Sequence, residues 1–542
     1  MRIYLLIISF LIIFIVTPLQ AGYTKIELMN RIPLVPYPKT LNYKGDKISF
    51  PKAISIIGLS IKDNEQKRTI ETLDELFDQL LNVTYNYDGN HPFKIQFLRK
   101  ENISNKEGYE LISTGKGITI YAVNATGEFY AAQTLYQILA FSYWGCEMLD
   151  VSEIPAEKDA AVKRFIPLLE IKDEPQLQAR SVMLDLGRAT FTIPYIKNII
   201  KIIAHLKMNM LHLHLYDDEL NGFRFSNSSL GEENPFAINS DELKEIVNYA
   251  RSFHVTIIPE LESWGHVGSI LYHYPELFGA IGMWGGYSFG IGEKTFDLLE
   301  KMYEDVLLCL EDDAIIHVGL DEATWTVLPG EEDKDYTPTK LVGKIYDILM
   351  KLAKKHNKKI TMYLWADHGG RPLPERIENK VVIQPWKYKE SDKSKIIETL
   401  KKYGGENKTL LMMGGGISSA CYSGDYGATR IWCQQGVKYP NVLGINICIW
   451  GTNDIAGRII SLYGGADFAW SPETPKLING DNTGEDLKRS INRKMRKWQA
   501  IFPEASSKNL NKLRGEETFL GKYVNPPMSF QPVAPTVNFR IK

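Results

Sequence analysis

Residues 207–218 of the chain read KMNMLHLHLYDD. Within them the run 210–216 is apolar except for two histidines at alternate positions, which predicts a strand that ends at the paired acids Asp217 and Asp218. Seven more apolar runs are separated by segments with the apolar period of helices. The eight predicted strands are 179–187, 210–216, 256–261, 314–319, 359–365, 381–386, 410–415 and 442–450. Apolar strands that alternate with helices form parallel sheets covered on both faces, so eight such units predict a (β/α)8 barrel rather than an open doubly wound sheet.

The segment before the barrel has a different pattern. From residue 30 to residue 163, short β-rich runs alternate with two helical patterns, at 64–81 and 127–139. This predicts a smaller α+β domain with its sheet and helices in separate layers. Residues 153–165 are charged and lack an apolar period, so they are predicted to form a linker.

The catalytic barrel is expected to span 170–471. The remaining residues, 472–542, are expected to add a basic helix at 486–501 and a proline-rich tail that pack on the barrel. No glycine-rich phosphate-binding fingerprint follows the first strand. The glycines of residues 285–290 are predicted to lie in a long loop and do not begin a helix, so they do not form such a fingerprint either.

Composition restricts the class of partner. The chain has 542 residues, 63 Lys+Arg against 65 Asp+Glu, a formal net charge of -2 and 44% hydrophobic residues. This balance is typical of a folded globular protein and excludes a disordered or fibrous one. A near-neutral charge without a long basic run argues against nucleic acid or an anionic membrane as the partner. The partner should therefore be small or uncharged.

The amino terminus is predicted to be an export signal. Residues 1–21 combine a basic start, an apolar run and a small-residue cleavage site, so we expect an exported mature chain from about Gly22. The apolar run is shorter than the roughly 20 residues that span a bilayer, and an uncleaved anchor is the alternative. Five cysteines are too few for a disulfide scaffold, although Cys421 and Cys433 are spaced to bridge one loop. Glycosylation sequons occur at Asn82, Asn102, Asn124, Asn227 and Asn407.

Polar and aromatic residues follow the predicted strands. The carboxyl ends of barrel strands meet at one mouth, where barrel enzymes form their active sites. The residues at these ends are Asp185 and Arg188; His212, His214, Asp217 and Asp218; Glu260, Glu262 and His266; His317, Asp321 and Glu322; Trp365, Asp367 and His368; Trp386; and Trp450. Carboxylic acids beside aromatic walls suit general acid/base chemistry on a carbohydrate, because apolar walls raise a carboxyl pKa and stack on sugar faces.

Other interpretations of these residues remain open. A single acid at a strand end is often a helix cap, and a single tryptophan is often part of the core. His212 and His214, two residues apart on one strand, would share a face, which is how metal-dependent barrel hydrolases hold a divalent ion.

Several motifs in order resemble glycoside hydrolase family 20, the β-N-acetylhexosaminidases. The motifs are 173–180, 184–188, 207–218, 259–266 and 317–322 in the barrel, with 34–38, 109–111 and 127–135 before it. The resemblance covers most of the chain. It implies that the protein removes a terminal N-acetylglucosamine or N-acetylgalactosamine from a glycan with retained configuration, using the acetamido oxygen of the substrate as the nucleophile.

The resemblance also implies catalytic roles. Glu322 would protonate the leaving oxygen and later activate water. Asp321 would orient the acetamido group and stabilise positive charge as the oxazolinium forms, and Tyr422 would hold the acetamido oxygen. Asp217, His266 and His317 would lie behind these groups, with Asp217 and His266 orienting the acid through hydrogen bonds.

The substrate pocket follows from the same resemblance. Trp365, Trp386 and Trp450 match the three walls of the acetamido pocket, and Arg188 matches the arginine that holds ring hydroxyls. Asp425 and Asp454 are further substrate-binding candidates. No cofactor and no metal are implied.

The chain departs from the family pattern at three places. Leu320 stands where the family usually has glycine, Thr452 stands where it has a glutamate that binds distal hydroxyls, and Asp425 follows Tyr422 by three residues instead of two. The altered hydroxyl-binding residues leave a catalytically silent sugar-binding relative as one alternative to the hexosaminidase. The spacing of His212 and His214 leaves a metal-dependent hydrolase as the other.

Overall fold

The computed structural model describes most of the chain. The described residues are 32–87, 89–143, 165–226, 228–281, 286–366, 373–417, 426–451, 454–473 and 494–514. The predicted signal at residues 1–21 lies outside them. No helix within these ranges is both long enough and apolar enough to span a membrane.

The amino-terminal part forms a seven-stranded mixed sheet. In spatial order its strands are Thr40–Ser49, Phe165–Asp173, Tyr109–Thr114, Gly117–Ala122, Lys94–Arg99, Ala53–Ile57 and Thr84–Asn86. Two helical segments pack on it: Lys67–Asp74, which continues as the π-helical turn Glu75–Leu80, and Ala125–Tyr143. Leu73, Leu76 and Phe129 on these helices are fully buried, so the layer of helices covers one face of the sheet. The predicted α+β class is confirmed.

Three strands of this sheet were not predicted: Thr40–Ser49, Thr84–Asn86 and Phe165–Asp173. Phe165–Asp173 pairs with Thr40–Ser49 and with Tyr109–Thr114, so the sheet extends beyond residue 163, where the first domain was expected to end. Its buried positions alternate with Glu170 and Lys172, as in a strand with one solvated face. The run follows the predicted linker at 153–165 and crosses the expected start of the barrel at residue 170, so it was not among the predicted strands.

The barrel is closed and parallel, as predicted. In chain order its eight strands are Ala179–Asp185, Met210–His214, Thr256–Glu260, Asp313–His317, Lys359–Trp365, Val381–Gln384, Leu410–Ile417 and Val442–Ile449, and they are called barrel strands 1 to 8 below. The helices of the barrel are Ile193–His205, Ser240–Ser252, Gly268–His273, Glu293–Leu307, Pro338–Lys355, Lys393–Tyr403, Tyr426–Gly436 and Ile455–Trp470. A small hairpin, Phe278–Ile281 with Tyr287–Phe289, follows barrel strand 3.

The carboxy-terminal segment packs on both domains. Residues 494–501 are helical, which agrees with the described part of the predicted helix at 486–501, and Ser507–Arg514 forms another helix. The hydroxyl of Tyr136 donates to the carbonyl of Ile501 at 3.1 Å, and Asn198 donates to the carbonyl of Glu504 at 3.0 Å. Tyr136 belongs to the amino-terminal part and Asn198 to the barrel, so this segment joins the two.

A buried ion pair ties the sheet to the amino-terminal end of the barrel. The Lys207 ammonium lies 2.9 Å from Asp173, whose carboxylate also accepts hydrogen bonds from Tyr109 at 2.6 Å and from Trp470 at 2.8 Å. Burial lowers the pKa of Lys207, and the charge of Asp173 opposes that shift. A buried charge needs such partners, because leaving it unpaired costs several kcal/mol.

Replacing Lys207 by Met is therefore expected to destabilise the protein by about 3 to 5 kcal/mol, because Asp173 would keep a buried charge without its cation. Urea unfolding of the two proteins measures the difference. Lys172→Met is the matched control, since Lys172 pairs with Glu170 at 3.7 Å with more than half of its side chain exposed, and it should change stability by less than about 1 kcal/mol. Equal effects of the two substitutions would contradict the importance of this pair.

Candidate active site

The end of barrel strand 4 turns sharply, and this turn presents two adjacent acids. Gly319, Leu320 and Glu322 have φ values of 65°, 81° and 47°, all in the left-handed region. Gly319 must be glycine, because a Cβ there would lie 1.8 Å from the Glu262 carboxylate. Leu320, at the position where the resembling family has glycine, holds this conformation at a cost of about 1 to 2 kcal/mol. The side chain of Asp321 is buried, and that of Glu322 is half-buried.

His266 lies between two pairs of acids. Its Nε2 is 3.3 Å from Glu322 and 3.7 Å from Asp321, and its Nδ1 is 3.3 Å from Asp217 and 3.2 Å from Asp218. Burial opposes protonation, but the charge and hydrogen bond of Asp217 raise the pKa of His266 well above its ordinary value. The imidazole is therefore a cation at neutral pH, and it can stabilise the carboxylate form of Glu322.

The hydrogen bonds continue from His266 into the barrel. Asp217 accepts from His214 Nε2 at 2.7 Å, and His214 Nδ1 is 2.6 Å from Glu260. Although burial opposes it, the charge of Glu260 raises the pKa of His214 to about 10, so both ring nitrogens donate. These contacts form a carboxylate–imidazole chain that runs from Glu260 through His214, Asp217 and His266 to Glu322. They also occupy both nitrogens of His214, which argues against this ring as a metal ligand.

Glu260 is the centre of the polar layer inside the barrel. Its carboxylate lies 3.0 Å from His212 Nε2 and 2.9 Å from His317 Nδ1, and it accepts a hydrogen bond from Trp365 Nε1 at 2.6 Å. Burial opposes ionisation, but the three histidines keep the pKa of Glu260 well below its usual range. His317 contacts Glu260 and the ring of Trp365, so its link to Glu322 is indirect. One possible donor set for a metal ion is His212, Glu260 and His317, whose ligand atoms lie within 4.8 Å of one another.

Glu262 is among the polar residues that follow barrel strand 3, but the sequence assigned it no role; it follows Glu260 by two residues and so lies on the same side of the chain. Its side chain is fully buried against Asp321 and accepts the Leu320 N–H at 3.3 Å. Burial, followed by the charges of Asp321 and Glu260, raises the pKa of Glu262 well above its ordinary value. Burial also raises the pKa of Asp321, but the His266 cation and a hydrogen bond with Glu262 oppose that shift. We therefore assign the shared proton to Glu262 and the negative charge to Asp321.

The three predicted tryptophans come together. The ring centroids of Trp365 and Trp450 are 5.8 Å apart, and both belong to an apolar cluster that includes Trp386. Tyr388, which the sequence did not single out, stacks on Trp386 at 5.3 Å and accepts a hydrogen bond from Trp450 Nε1 at 2.9 Å. The three tryptophans and Tyr388 thus form an aromatic wall, and the Tyr388 hydroxyl is a polar group within it.

Arg188 lies beside this wall. Its guanidinium is 5.2 Å from the Trp450 ring centroid and pairs with Asp217 at 2.6 Å, Asp185 at 3.2 Å and Glu219 at 3.4 Å. Asp185 and Asp217 are buried, whereas about half of the Glu219 side chain is exposed.

Some predicted site residues are not placed. Tyr422 and Asp425 lie outside the described residues, as do Thr452 and the possible bridge partner Cys421, while Cys433 is a buried free thiol. Asp454 accepts the Gly457 N–H at 3.1 Å and so caps the helix Ile455–Trp470.

Comparisons with known proteins agree with this architecture. The sequence matches the glycosyl hydrolase family 20 catalytic domain over residues 178–403 and domain 2 of that family over residues 31–173. A beta-hexosaminidase of Porphyromonas gingivalis is 31% identical over 32% of this chain and 22% of its own length. A beta-N-acetylhexosaminidase of Cellulomonas fimi is 26% identical over 58% of this chain and 60% of its own. The chain therefore spans less than two thirds of the length of these relatives.

Among solved structures, the N-acetyl-beta-hexosaminidase of Streptomyces plicatus aligns with a TM-score of 0.62, 20% identity and coverage of 87% of this chain and 95% of that one. The chitobiase of Flavobacterium johnsoniae aligns with a TM-score of 0.65, 17% identity and coverage of 87% and 73%. At these identities the structures support the fold. Because the two family domains match in order and together span most of residues 31–403, the chain belongs to glycoside hydrolase family 20.

Proposed function

We propose that the protein is an exo-acting β-N-acetylhexosaminidase that releases terminal N-acetylglucosamine or N-acetylgalactosamine through an oxazolinium intermediate. The observation that carries the proposal is the pair Asp321 and Glu322, placed by one strand end beside the His266 cation. Two carboxyl groups at adjacent positions can divide the work of one reaction, one as general acid and the other as the anion that stabilises developing positive charge. The beta-hexosaminidase relatives share this family and support the proposal.

In the first step, Glu322 gives its proton to the glycosidic oxygen as the acetamido carbonyl oxygen attacks the anomeric carbon. The bond to the leaving sugar breaks, and positive charge spreads over the new ring. Asp321 accepts the acetamido N–H and stabilises that charge, because a preorganised anion in a buried site is worth more than one in water. The His266 cation stabilises the carboxylate that Glu322 becomes.

In the second step, Glu322 takes a proton from water as the water oxygen attacks the anomeric carbon and the ring opens. Two displacements on the same carbon retain the configuration. Trp365, Trp386 and Trp450 would enclose the acetamido methyl group, and Tyr422 would donate to the acetamido oxygen. The pocket wall contributes by excluding water and fixing the nucleophile near the carbon that it attacks.

The test of the proposal is a substrate panel. The purified protein is expected to hydrolyse nitrophenyl N-acetyl-β-glucosaminide or N-acetyl-β-galactosaminide but not the plain β-glucoside, because the nucleophile belongs to the acetamido group. A thiazoline mimic of the oxazolinium should bind at least about a hundredfold more tightly than the substrate. A trapped covalent glycosyl–enzyme would contradict the mechanism, and failure to hydrolyse either acetamido sugar while still binding one would indicate a silent sugar-binding relative.

A metal-dependent hydrolase is the second candidate, favoured by close donor atoms among the described residues, such as those of His212, Glu260 and His317. The two candidates separate on treatment with a chelator followed by metal analysis. Activity that survives complete removal of metal supports the hexosaminidase, and activity that returns only with added zinc or another divalent ion supports the hydrolase.

A further inference from the structure

A tight turn after barrel strand 2 holds Glu219 in a fixed place. Leu220 donates its N–H to the carbonyl of Gly187 at 2.9 Å, and Asp217 donates to the carbonyl of Leu220 at 3.1 Å. The turn is closed by an antiparallel bridge between Tyr216 and Asn221. These hydrogen bonds fix the backbone of the turn against the end of barrel strand 1. The two acids at its tip, Asp218 and Glu219, therefore occupy defined positions.

The two acids at the tip have different surroundings. Asp218 turns toward the loop after barrel strand 3, where it accepts the N–H groups of Gly268 and Tyr287 at 2.9 Å each and lies 3.2 Å from His266. Glu219 lies on the side of Arg188, with one oxygen 3.4 Å from Arg188 Nε and 52% of its side chain exposed. The Asp218 carboxylate is therefore occupied by its contacts with this loop. The Glu219 carboxylate still has acceptor positions that face solvent.

Arg188 does not need Glu219 for its charge balance. Asp185 and Asp217 are both closer to the guanidinium and are buried. Asp185 also accepts the N–H groups of Gly187 and Gly451 at 3.1 and 2.9 Å, which fixes it in place. Glu219 adds a third negative charge beside one cation, although the two buried acids already neutralise it. Its half-exposed carboxylate is therefore available to a ligand.

Glu219 lies beside the residues that the proposed function places around the sugar. After barrel strand 8 the sequence offers the uncharged Thr452, and the next acid, Asp454, caps a helix with half of its side chain exposed. One oxygen of Glu219 lies 3.4 Å from Arg188 Nε. Arg188 matches the arginine that holds the sugar, and its guanidinium lies 5.2 Å from the centroid of the Trp450 ring. Under the proposed function Arg188 holds a ring hydroxyl, and an acceptor at this place can receive a hydrogen bond from a hydroxyl on the same side of the sugar.

We propose that Glu219 is a specificity-determining residue that accepts a hydrogen bond from a ring hydroxyl of the terminal sugar, on the same side as Arg188. The inference rests on the proposed function, since it needs an N-acetylhexosamine in the pocket. Glu219 takes no part in proton transfer to the leaving group. Its effect lies in binding the hydroxyl in the ground state and the transition state.

The experiment compares the full-length protein with Glu219→Ala and Glu219→Gln on nitrophenyl N-acetyl-β-glucosaminide and on two analogues that lack the third or the fourth ring hydroxyl. Glu219→Ala is expected to lower kcat/KM for the parent substrate by about ten- to a hundredfold, the loss that follows from one hydrogen bond to a charged group. On the analogue that lacks the recognised hydroxyl, the same substitution should cost less than about twofold, because no hydrogen bond remains to lose. Glu219→Gln keeps a neutral acceptor. Its kcat/KM on the parent substrate should therefore lie between that of the unaltered protein and that of Glu219→Ala.

The matched control is Glu245→Ala. Glu245 is also a half-exposed acid in a single ion pair, with Lys197 at 2.5 Å, but it lies on the helix Ser240–Ser252. It should leave kcat/KM unchanged on all three substrates. An equal loss with Glu219→Ala on every substrate, or no loss on any, overturns the inference. If the unaltered protein hydrolyses no acetamido sugar, the proposed function itself has failed, and that outcome is visible before any variant is measured.

Discussion

Glu322→Gln is expected to lower kcat for a natural N-acetylhexosamine disaccharide by about 10²- to 10⁴-fold, the contribution of a positioned general acid. An amide keeps the shape of the side chain and can remain 3.3 Å from His266, but it has no proton to give to the leaving oxygen. It also cannot take a proton from water in the second step. The change therefore removes the chemistry while the folded structure is kept.

Leaving-group dependence makes this result specific to an acid. A nitrophenolate leaves with little help from a proton, so cleavage of a nitrophenyl glycoside should suffer less than cleavage of the disaccharide in its first step. Comparing single-turnover release of nitrophenol with disaccharide cleavage measures the difference. Thermal unfolding of Glu322→Gln serves as the control for folding. Undiminished hydrolysis of the disaccharide would show that Glu322 is not the acid.

The sequence predicted the barrel because its signal is repeated. Each of the eight strands is buried on both faces, so each appears as an apolar run that ends in polar residues. The same ends predicted the candidate site, and the structure brings His266, Asp321 and Glu322 together because the carboxyl ends of their strands meet at one mouth. Strand Phe165–Asp173 was not predicted because one of its faces is solvated, so buried and partly exposed residues alternate along it.

Two features could not be predicted from the sequence. They are the protonation state of each buried acid and the identity of the residues that contact the predicted site residues from behind. Glu260 and Glu262 are two residues apart on one strand end. Three histidines keep the pKa of Glu260 low, whereas burial, followed by the charges of neighbouring acids, raises the pKa of Glu262. That difference depends on which strands are neighbours in the closed barrel. Tyr388 is similar, because its contact with Trp450 joins loops that are far apart in the chain. The cap made by Asp454 was readable, since an acid three residues before Gly457 precedes a long apolar helix.

The assignment of charge at Asp321 and Glu262 leads to the second large effect. Both substitutions, Asp321→Asn and Glu262→Gln, exchange a carboxyl group for an amide of the same shape, and the two carboxyl groups are close enough that each affects the pKa of the other. If Asp321 carries the charge, Asp321→Asn removes the anion that stabilises the oxazolinium, and kcat should fall by about 10²- to 10³-fold, as for the loss of one group preorganised for the transition state. KM should change much less, because the charge that the anion meets develops only after binding.

Glu262→Gln is the matched control at the neighbouring carboxyl group. Its pKa is raised well above the ordinary value, so the group that it replaces is already neutral, and the Gln amide can donate to Asp321 as the protonated acid does. We therefore expect kcat to fall by less than about tenfold, the scale of one neutral hydrogen bond of altered geometry. Measuring kcat and KM for both variants on one nitrophenyl N-acetylhexosaminide decides between the two charge assignments. A large loss in Glu262→Gln with a small one in Asp321→Asn would place the anion on Glu262, because the isosteric amide matters only where it removes a charge.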